Sequence, residues 1–278
     1  IYLLWHRRLP NKVELEELTL QLANNMELPK EIIEYFNMFD IKNIHPMSAL
    51  RTAISMLGLY DPEAEKMDGV SNYNKAIRIQ AKIPTIVTAF SRVRKGLEPV
   101  SPRKDLSFAA NFLYMLSGKE PSEIEVEAFN KALVLHADHE LNASTFTARV
   151  CVATLSDVYS GITSAIGALK GPLHGGANEA VMKMLSEIGS LDNVETYINN
   201  KLANKEKIMG FGHRVYRNGD PRAKHLKEMS KKLTTLTGQP KYYEMSVRIE
   251  ELVTAKKPLP PNVDFYSASV YHSLGIEF

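Results

Sequence analysis

The chain has 278 residues, 44% of them hydrophobic and 24% charged, with a formal net charge of +2 and an isoelectric point near 8.4. That balance is typical of a soluble globular protein with a real core, one large or two ordinary domains, and so even a charge argues against a molecule built mainly to grip nucleic acid or a membrane surface. The single Cys151 excludes an internal disulfide and any multi-cysteine metal site, and it fits a reducing compartment, with the cytoplasm as default.

No stretch approaches the roughly 18 uninterrupted apolar residues of a membrane helix, and the opening "IYLLWHRRLP" lacks the order of a signal peptide. The first residues are apolar and uncapped and the last, "YHSLGIEF", carry no polar tail, so both ends read as cut from something longer. Helical periodicity begins at Asn11, an N-cap with Glu14 three residues on as a capping box, ahead of Leu18, Leu20 and Leu22. Further helices are predicted near 29–40, 46–59, 71–96, 105–117, 122–141, 144–169, 177–204, 221–236, 241–256 and 262–274. Strand alternation is scarce: "RNGD" and "MDGV" contain turn dipeptides, but neither is flanked by two β-branched alternating runs. The expected fold class is all-α. No fixed-period repeat marks a solenoid. "RKGLEPVSPRKD" reads as an exposed connector, whereas "KGPLHGGAN" and "KKPLPPNVD" bracket a stretch that suits a smaller domain hinged against a larger one.

Four stretches carry the candidate chemistry. In "LVLHADHELNASTF", His136 and His139 are three apart and expected on one helix face, with Asn142 or Ser144 placed to break and restart the helix. Asp138 and Glu140 beside them invite a metal-dependent hydrolase built on His136, His139 and Glu140, although the spacing fits neither HExxH nor HxxEH. In "LKGPLHGGANEAV", His174 stands just outside a helix start, where backbone N–H groups collect. Gly175 and Gly176 there remove the Cβ atoms that would keep another backbone or a ligand at a distance.

In "IMGFGHRVYRNGDPRAKHLKEM", Gly210 and Gly212 precede His213, and Asp220 reads as an N-cap with Pro221 as the first helical residue and Arg222 next. His213 suits a proton donor and Arg222 a fork onto a carboxylate. Arg214, Arg217, Lys224, Lys227, Lys231 and Lys232 form a basic cluster that fits a phosphate-bearing ligand and, equally, a solvated helix face. In "PLPPNVDFYSASVYHSLGI", Asn262 can cap a helix that buries Val263, Val270 and Leu274. Asp264 lies in its first turn, normally a dipole position; to act as a base it must point into a cleft, for which Phe265 and Tyr266 offer an apolar wall.

In this order and at these separations, the four stretches resemble the bacterial citrate synthases. The likeness continues through "HPMSALRTAIS", "AIRIQAKIPTIVTAF", "FAANFLYML" and "PSEIEVEAFNKALVLHADHE", covering essentially the whole chain. The resemblance implies condensation of acetyl-CoA with oxaloacetate and water to give citrate and CoA, the opening step of the tricarboxylic acid cycle, with no metal or redox cofactor. By motif it implies Asp264 as the base for the acetyl methyl group, His174 as donor to the thioester oxygen and His213 as donor to the oxaloacetate carbonyl. It places oxaloacetate on His139 and Arg222, and CoA along Ile208, Met209, Gly210, Phe211 and Gly212 and near Asn262, read mainly by backbone. The helix start beside His174 is expected to disfavour its imidazolium form.

The resemblance further implies a homodimer whose subunit has a large domain, 1–176 completed by 263–278, and a small one, 177–262, closing over oxaloacetate. A 2-methylcitrate synthase using propionyl-CoA is the nearest alternative, and a non-catalytic helical interaction protein a distant one. Family members continue past the equivalent of Phe278 into a segment with two more substrate arginines, so a chain of this length is expected to bind oxaloacetate weakly and turn over poorly.

Overall fold

The computed structural model describes residues 1–172, 174–213 and 215–277. Among them the regular structure is helical, and the β-type pairing is one isolated antiparallel bridge between Phe211 and Pro261. The all-α expectation holds. The helices in chain order are α1 (Tyr2–His6), α2 (Lys12–Asn24), α3 (Lys30–Asn37), α4 (Pro46–Tyr60), α5 (Gly69–Arg94), α6 (Phe108–Ser117) and α7 (Glu123–His136). They continue as α8 (Ala143–Ala153), α9 (Val158–Leu169), α10 (Ala177–Ile188), α11 (Val194–Ala203), α12 (Ala223–Leu236), α13 (Lys241–Lys256) and α14 (Val263–Ser273). No helix among the described residues is long and apolar enough to cross a membrane.

Local chemistry accounts for several of the starts. The capping box of α2 is complete: Asn11 Oδ1 accepts from the Glu14 N–H at 2.9 Å, and Glu14 Oε2 accepts from the Asn11 N–H at 2.8 Å. Side-chain oxygens cap α5, α6, α8, α9 and α14 from Asp68, Ser107, Asn142, Asp157 and Asn262, each worth about 1 kcal/mol.

Two predicted helices are divided and a third is cut short. The 144–169 helix breaks after Ala153, where Leu155 turns left-handed at φ 65° and Asp157 restarts the chain as the cap of α9. The 177–204 helix ends at Ile188, where Gly189 takes φ 74°. The 122–141 helix stops at His136, and Glu140 at φ 53° carries the chain through a turn instead.

Packing groups the chain into two compact units: Ile1–Pro121 with Ala137–Gly175, and Ser122–His136 with Gly176–Phe278. In the first, α3, α4, α5 and α9 bury Ile32, Phe36, Ile54, Leu57, Ile86, Phe90 and Tyr159 in one cluster. In the second, α14 packs against α7, α10, α12 and α13 and buries Val263, Phe265, Tyr266, Ala268 and Val270. Large apolar side chains so buried contribute roughly 1.5–3 kcal/mol apiece. Val263, Val270 and Leu274 are buried as expected. Small residues let α12 come close to α14, and the buried hydroxyls of Ser230 and Ser269 satisfy one another at 2.7 Å. The contacts of α7 and α14 put both helices in the second unit; the expected domains, 1–176 with 263–278 and 177–262, concern relative motion and return below as a proposal.

Candidate active site

Asp264 is the second residue of α14, and its setting is built from the loop before it. Asn262 is extended (φ −99°, ψ −177°), and its Oδ1 accepts from the Asp264 N–H at 3.0 Å. Its Nδ2 donates to the Gly212 carbonyl at 2.9 Å and its backbone N–H to the Gly210 carbonyl at 2.8 Å, while the Gly212 N–H donates to Pro260 O at 2.9 Å. These bonds zip 210–212 onto 260–262. Ile208 and Phe211 anchor the loop by burial, the Phe211 ring 4.6 Å from that of Phe265. Gly210 has φ +83°, and a Cβ there would stand 2.8 Å from Phe265 and 2.9 Å from Val181, so glycine is required by both conformation and space.

Asp264 itself is half-buried. Burial pushes its carboxyl above the usual carboxylate range; the positive fields of His136 and Arg222 oppose the rise, Asp220 adds to it, and His213 opposes it further. All five groups belong to the second unit. Tyr271, its hydroxyl 3.4 Å from His136 Nδ1, is pushed up by burial and by the Asp264 charge.

His213 is oriented by its own turn. Its Nδ1 accepts from the backbone N–H groups of Val215 at 3.0 Å and Tyr216 at 3.2 Å, which puts the proton of the neutral ring on Nε2. The Tyr216 ring lies 4.8 Å from the His213 ring and 5.4 Å from the Arg222 guanidinium carbon. The helix that follows begins at Ala223 rather than Pro221, so Asp220 is not its N-cap. Instead Asp220 receives Arg222 through Nε at 2.9 Å and Nη2 at 2.8 Å. With that edge held, the opposite edge of the guanidinium, Nη1 with the outer N–H of Nη2, is the one suited to fork onto a ligand carboxylate.

In the first unit, the Ser144 backbone N–H donates to His174 Nε2 at 3.2 Å, and Ser144 Oγ lies 3.0 Å from the same nitrogen. A nitrogen that accepts an N–H carries no proton, so His174 is the Nδ1–H tautomer, opposite to His213. Gly175 places it. Its N–H donates to the Leu169 carbonyl at 3.1 Å, and a Cβ at Gly175 would stand 2.3 Å from that same oxygen. The Cβ is therefore excluded by the end of α9, so of the two reasons read from the sequence, another backbone or a ligand, the backbone is the one that applies at Gly175. His139 is half-buried in the turn after α7.

The shared helix face proposed for His136 and His139 does not exist: α7 ends at His136, and the two residues fall in different units. Among the described residues no group of three or more His, Cys, Asp or Glu side chains is arranged to hold a metal ion. The basic cluster also divides. Lys227 pairs with Glu250 at 2.8 Å, Lys224, Lys231 and Lys232 lie exposed on α12, Arg217 is exposed, and Arg214 lies outside the described residues. Sequence reading gave Ser144 a helix-breaking role, Asp220 a capping role and Tyr216 none. The Asp-Pro-Arg spacing was a signal for the Asp220 pair; the contact from Ser144 to His174 spans 30 residues and left no local trace.

Comparison with known proteins bears on the family and the fold. The family profile described as "Citrate synthase, C-terminal domain" matches residues 1–278. Citrate synthase 2 of Bacillus subtilis (strain 168) is 74% identical over 277 residues, 100% of this chain and 74% of its own length. The crystal structure of citrate synthase from Pyrobaculum aerophilum superposes with a TM-score of 0.92 at 39% identity, covering 99% of this chain and 72% of that one. Citrate synthase from the archaeon Thermoplasma acidophilum, in ternary complex with carboxymethyl coenzyme A and oxaloacetate, gives a TM-score of 0.89 at 32% identity, covering 99% and 73%. With a profile match from end to end and helices that superpose on solved relatives, the chain belongs to the citrate synthase family, whose members are acyltransferases.

Proposed function

We propose that the chain condenses acetyl-CoA with oxaloacetate, and that its residues divide the work as follows. The Asp264 carboxylate takes a proton from the acetyl methyl group, and the electron pair left behind moves onto the thioester oxygen. His174 Nδ1–H donates to that oxygen, where negative charge develops and a preorganised donor is worth several kcal/mol. The enol(ate) carbon attacks the oxaloacetate carbonyl carbon, whose oxygen takes the proton of His213 Nε2. Water then cleaves the citryl thioester to citrate and CoA. Arg222 and His139 hold oxaloacetate, and the 208–212 loop with Asn262 receives CoA. The 177–262 stretch remains the small domain of this proposal.

The observation that carries the reading is the state of Asp264. A carboxyl raised by burial against the opposing histidine and arginine fields is a stronger base than an exposed one, as removing a proton from carbon requires. The ternary complex of the Thermoplasma relative supports the two substrates for this chain. The 74% identity to a protein named citrate synthase favours the acetyl over the propionyl group. A homodimer is supported by α8, which has no buried residue and exposes Phe146, Val150 and Val152, more apolar surface than a monomer's helix normally shows water. The cytoplasm remains the proposed compartment.

The test is thiol release with oxaloacetate, with acetyl-CoA and propionyl-CoA offered separately and Asp264→Ala as control. Release that favours acetyl-CoA by about tenfold or more and vanishes in the control is the expected result. Equal release from Asp264→Ala would remove Asp264 from the mechanism.

A further inference from the structure

We infer that Asp220 is a positioning residue, whose single buried carboxylate holds both the Arg222 guanidinium and the first backbone N–H of α14, so that the oxaloacetate-binding group and the base are set by one anchor. The inference rests on the reading of Arg222 and Asp264 given above.

The Asp220 side chain is fully buried and makes four hydrogen bonds. Oδ1 accepts from the Arg222 backbone N–H at 3.0 Å and from Arg222 Nε at 2.9 Å. Oδ2 accepts from Arg222 Nη2 at 2.8 Å and from the Val263 backbone N–H at 2.9 Å. A carboxylate that only ordered its own turn would need the bonds to Arg222 alone. The fourth crosses 43 residues to the residue next to Asp264. Val263 opens α14, where the N–H has no partner inside the helix, so this bond fixes where the helix starts and which way its second residue faces. Arg222 pairing and the Val263 N–H together hold the Asp220 carboxyl below its usual range despite its burial.

The bonding pattern dictates the variants. In Asp220→Asn, either orientation of the amide turns its NH₂ toward two N–H donors, so the Arg222 hold is broken in both orientations and the Val263 bond in one, while loss of the charge weakens the Val263 bond wherever it survives. Val263→Pro deletes only the bond to α14: proline is tolerated at a first helical position, and the extended Asn262 before it, with ψ −177°, has the conformation a residue before proline prefers. The structural control is Asp61→Asn, which breaks a comparably buried carboxylate fork, Asp61 with Arg78 Nε at 2.8 Å and Nη2 at 3.0 Å, in the first unit.

Steady-state kinetics, melting temperature and calorimetric oxaloacetate binding are measured for each protein. Asp220→Asn should raise the oxaloacetate KM about tenfold or more and lower kcat about tenfold to a hundredfold, whereas Val263→Pro should lower kcat about tenfold with that KM within about twofold. Asp61→Asn should lower the melting temperature and leave both constants within about twofold. Parent-like kinetics in Asp220→Asn would make the residue scaffold only and overturn the inference. Should Asp220→Asn fail to fold, Val263→Pro decides, and an unchanged kcat there overturns it. A parent that neither releases thiol nor binds oxaloacetate sinks the underlying reading of Arg222 and Asp264, and the inference with it.

Discussion

The Ser144 backbone N–H points at His174 Nε2, while the backbone N–H groups of Val215 and Tyr216 point at His213 Nδ1. The two histidines are thereby held in opposite tautomers by main-chain donors, which side-chain substitution cannot remove. Nitrogen-15 NMR of the imidazoles should show His174 protonated at Nδ1 and His213 at Nε2 at neutral pH, with His174→Asn and His213→Asn supplying the assignments. The same tautomer at both sites would contradict the roles assigned to them.

Asp264 and Asp220 should respond to pH with opposite signs. The folded state raises the Asp264 pKa, so folding binds its proton more tightly, and ionisation costs stability once pH exceeds the unfolded value of about 3.9. Asp264→Asn should therefore raise the melting temperature at pH 7, with the gain fading as pH falls below about 4, while activity drops about 10²- to 10⁴-fold. For Asp220 the folded pKa is lowered, so its contribution is present above the unfolded value and lost as pH falls through the folded one. Asp220→Asn should cost about 3–5 kcal/mol at neutral pH and progressively less in acid. Urea titrations across this range check both signs.

Gly175 and Gly176 should differ sharply on substitution. An alanine methyl at 175 would be driven into the Leu169 carbonyl, whereas at 176 the nearest atom is Glu179 Oε2 at 3.9 Å and the penalty is that of φ +91°. Gly176→Ala should cost about 1–2 kcal/mol of stability with little loss of rate, while Gly175→Ala, by displacing His174, should lower kcat about a hundredfold. Similar kinetics for the two would disprove this account of Gly175.

The exposed face of α8 should govern assembly. Phe146→Glu together with Val150→Glu is expected to give monomers in sedimentation velocity where the parent sediments as a dimer. A dimer that survives both charges would place the interface elsewhere.

How much was legible before the structure follows from the range of each signal. Asn11 and Asn262 announced their helices because a cap acts within three residues. The breaks at Leu155 and Gly189 were hidden because apolar spacing runs on through both, and only the Asp157 cap and the Gly189 backbone mark them. The candidate site residues stand out as residue types beside glycines or helix starts, whereas their partners are non-local: Ser144 for His174, Val263 for Asp220. Periodicity reports which face is buried and is silent about which distant main-chain group a polar atom will meet.

The second unit is assembled from two separated pieces of chain, and this has a consequence for how the protein comes to exist. Helix α7 is synthesised with the first unit's residues on either side of it, yet it packs on α12 and α14. Until those emerge from the ribosome, its buried Ala128, Phe129 and Ala132 have no permanent cover, and long-range closure of this kind is slow. The nascent chain therefore passes through a stage in which the first unit can fold while α7 stands exposed, a natural point of attachment for a chaperone. The arrival of α14 ends that stage, and the same event brings Asp264, the proposed base, into place.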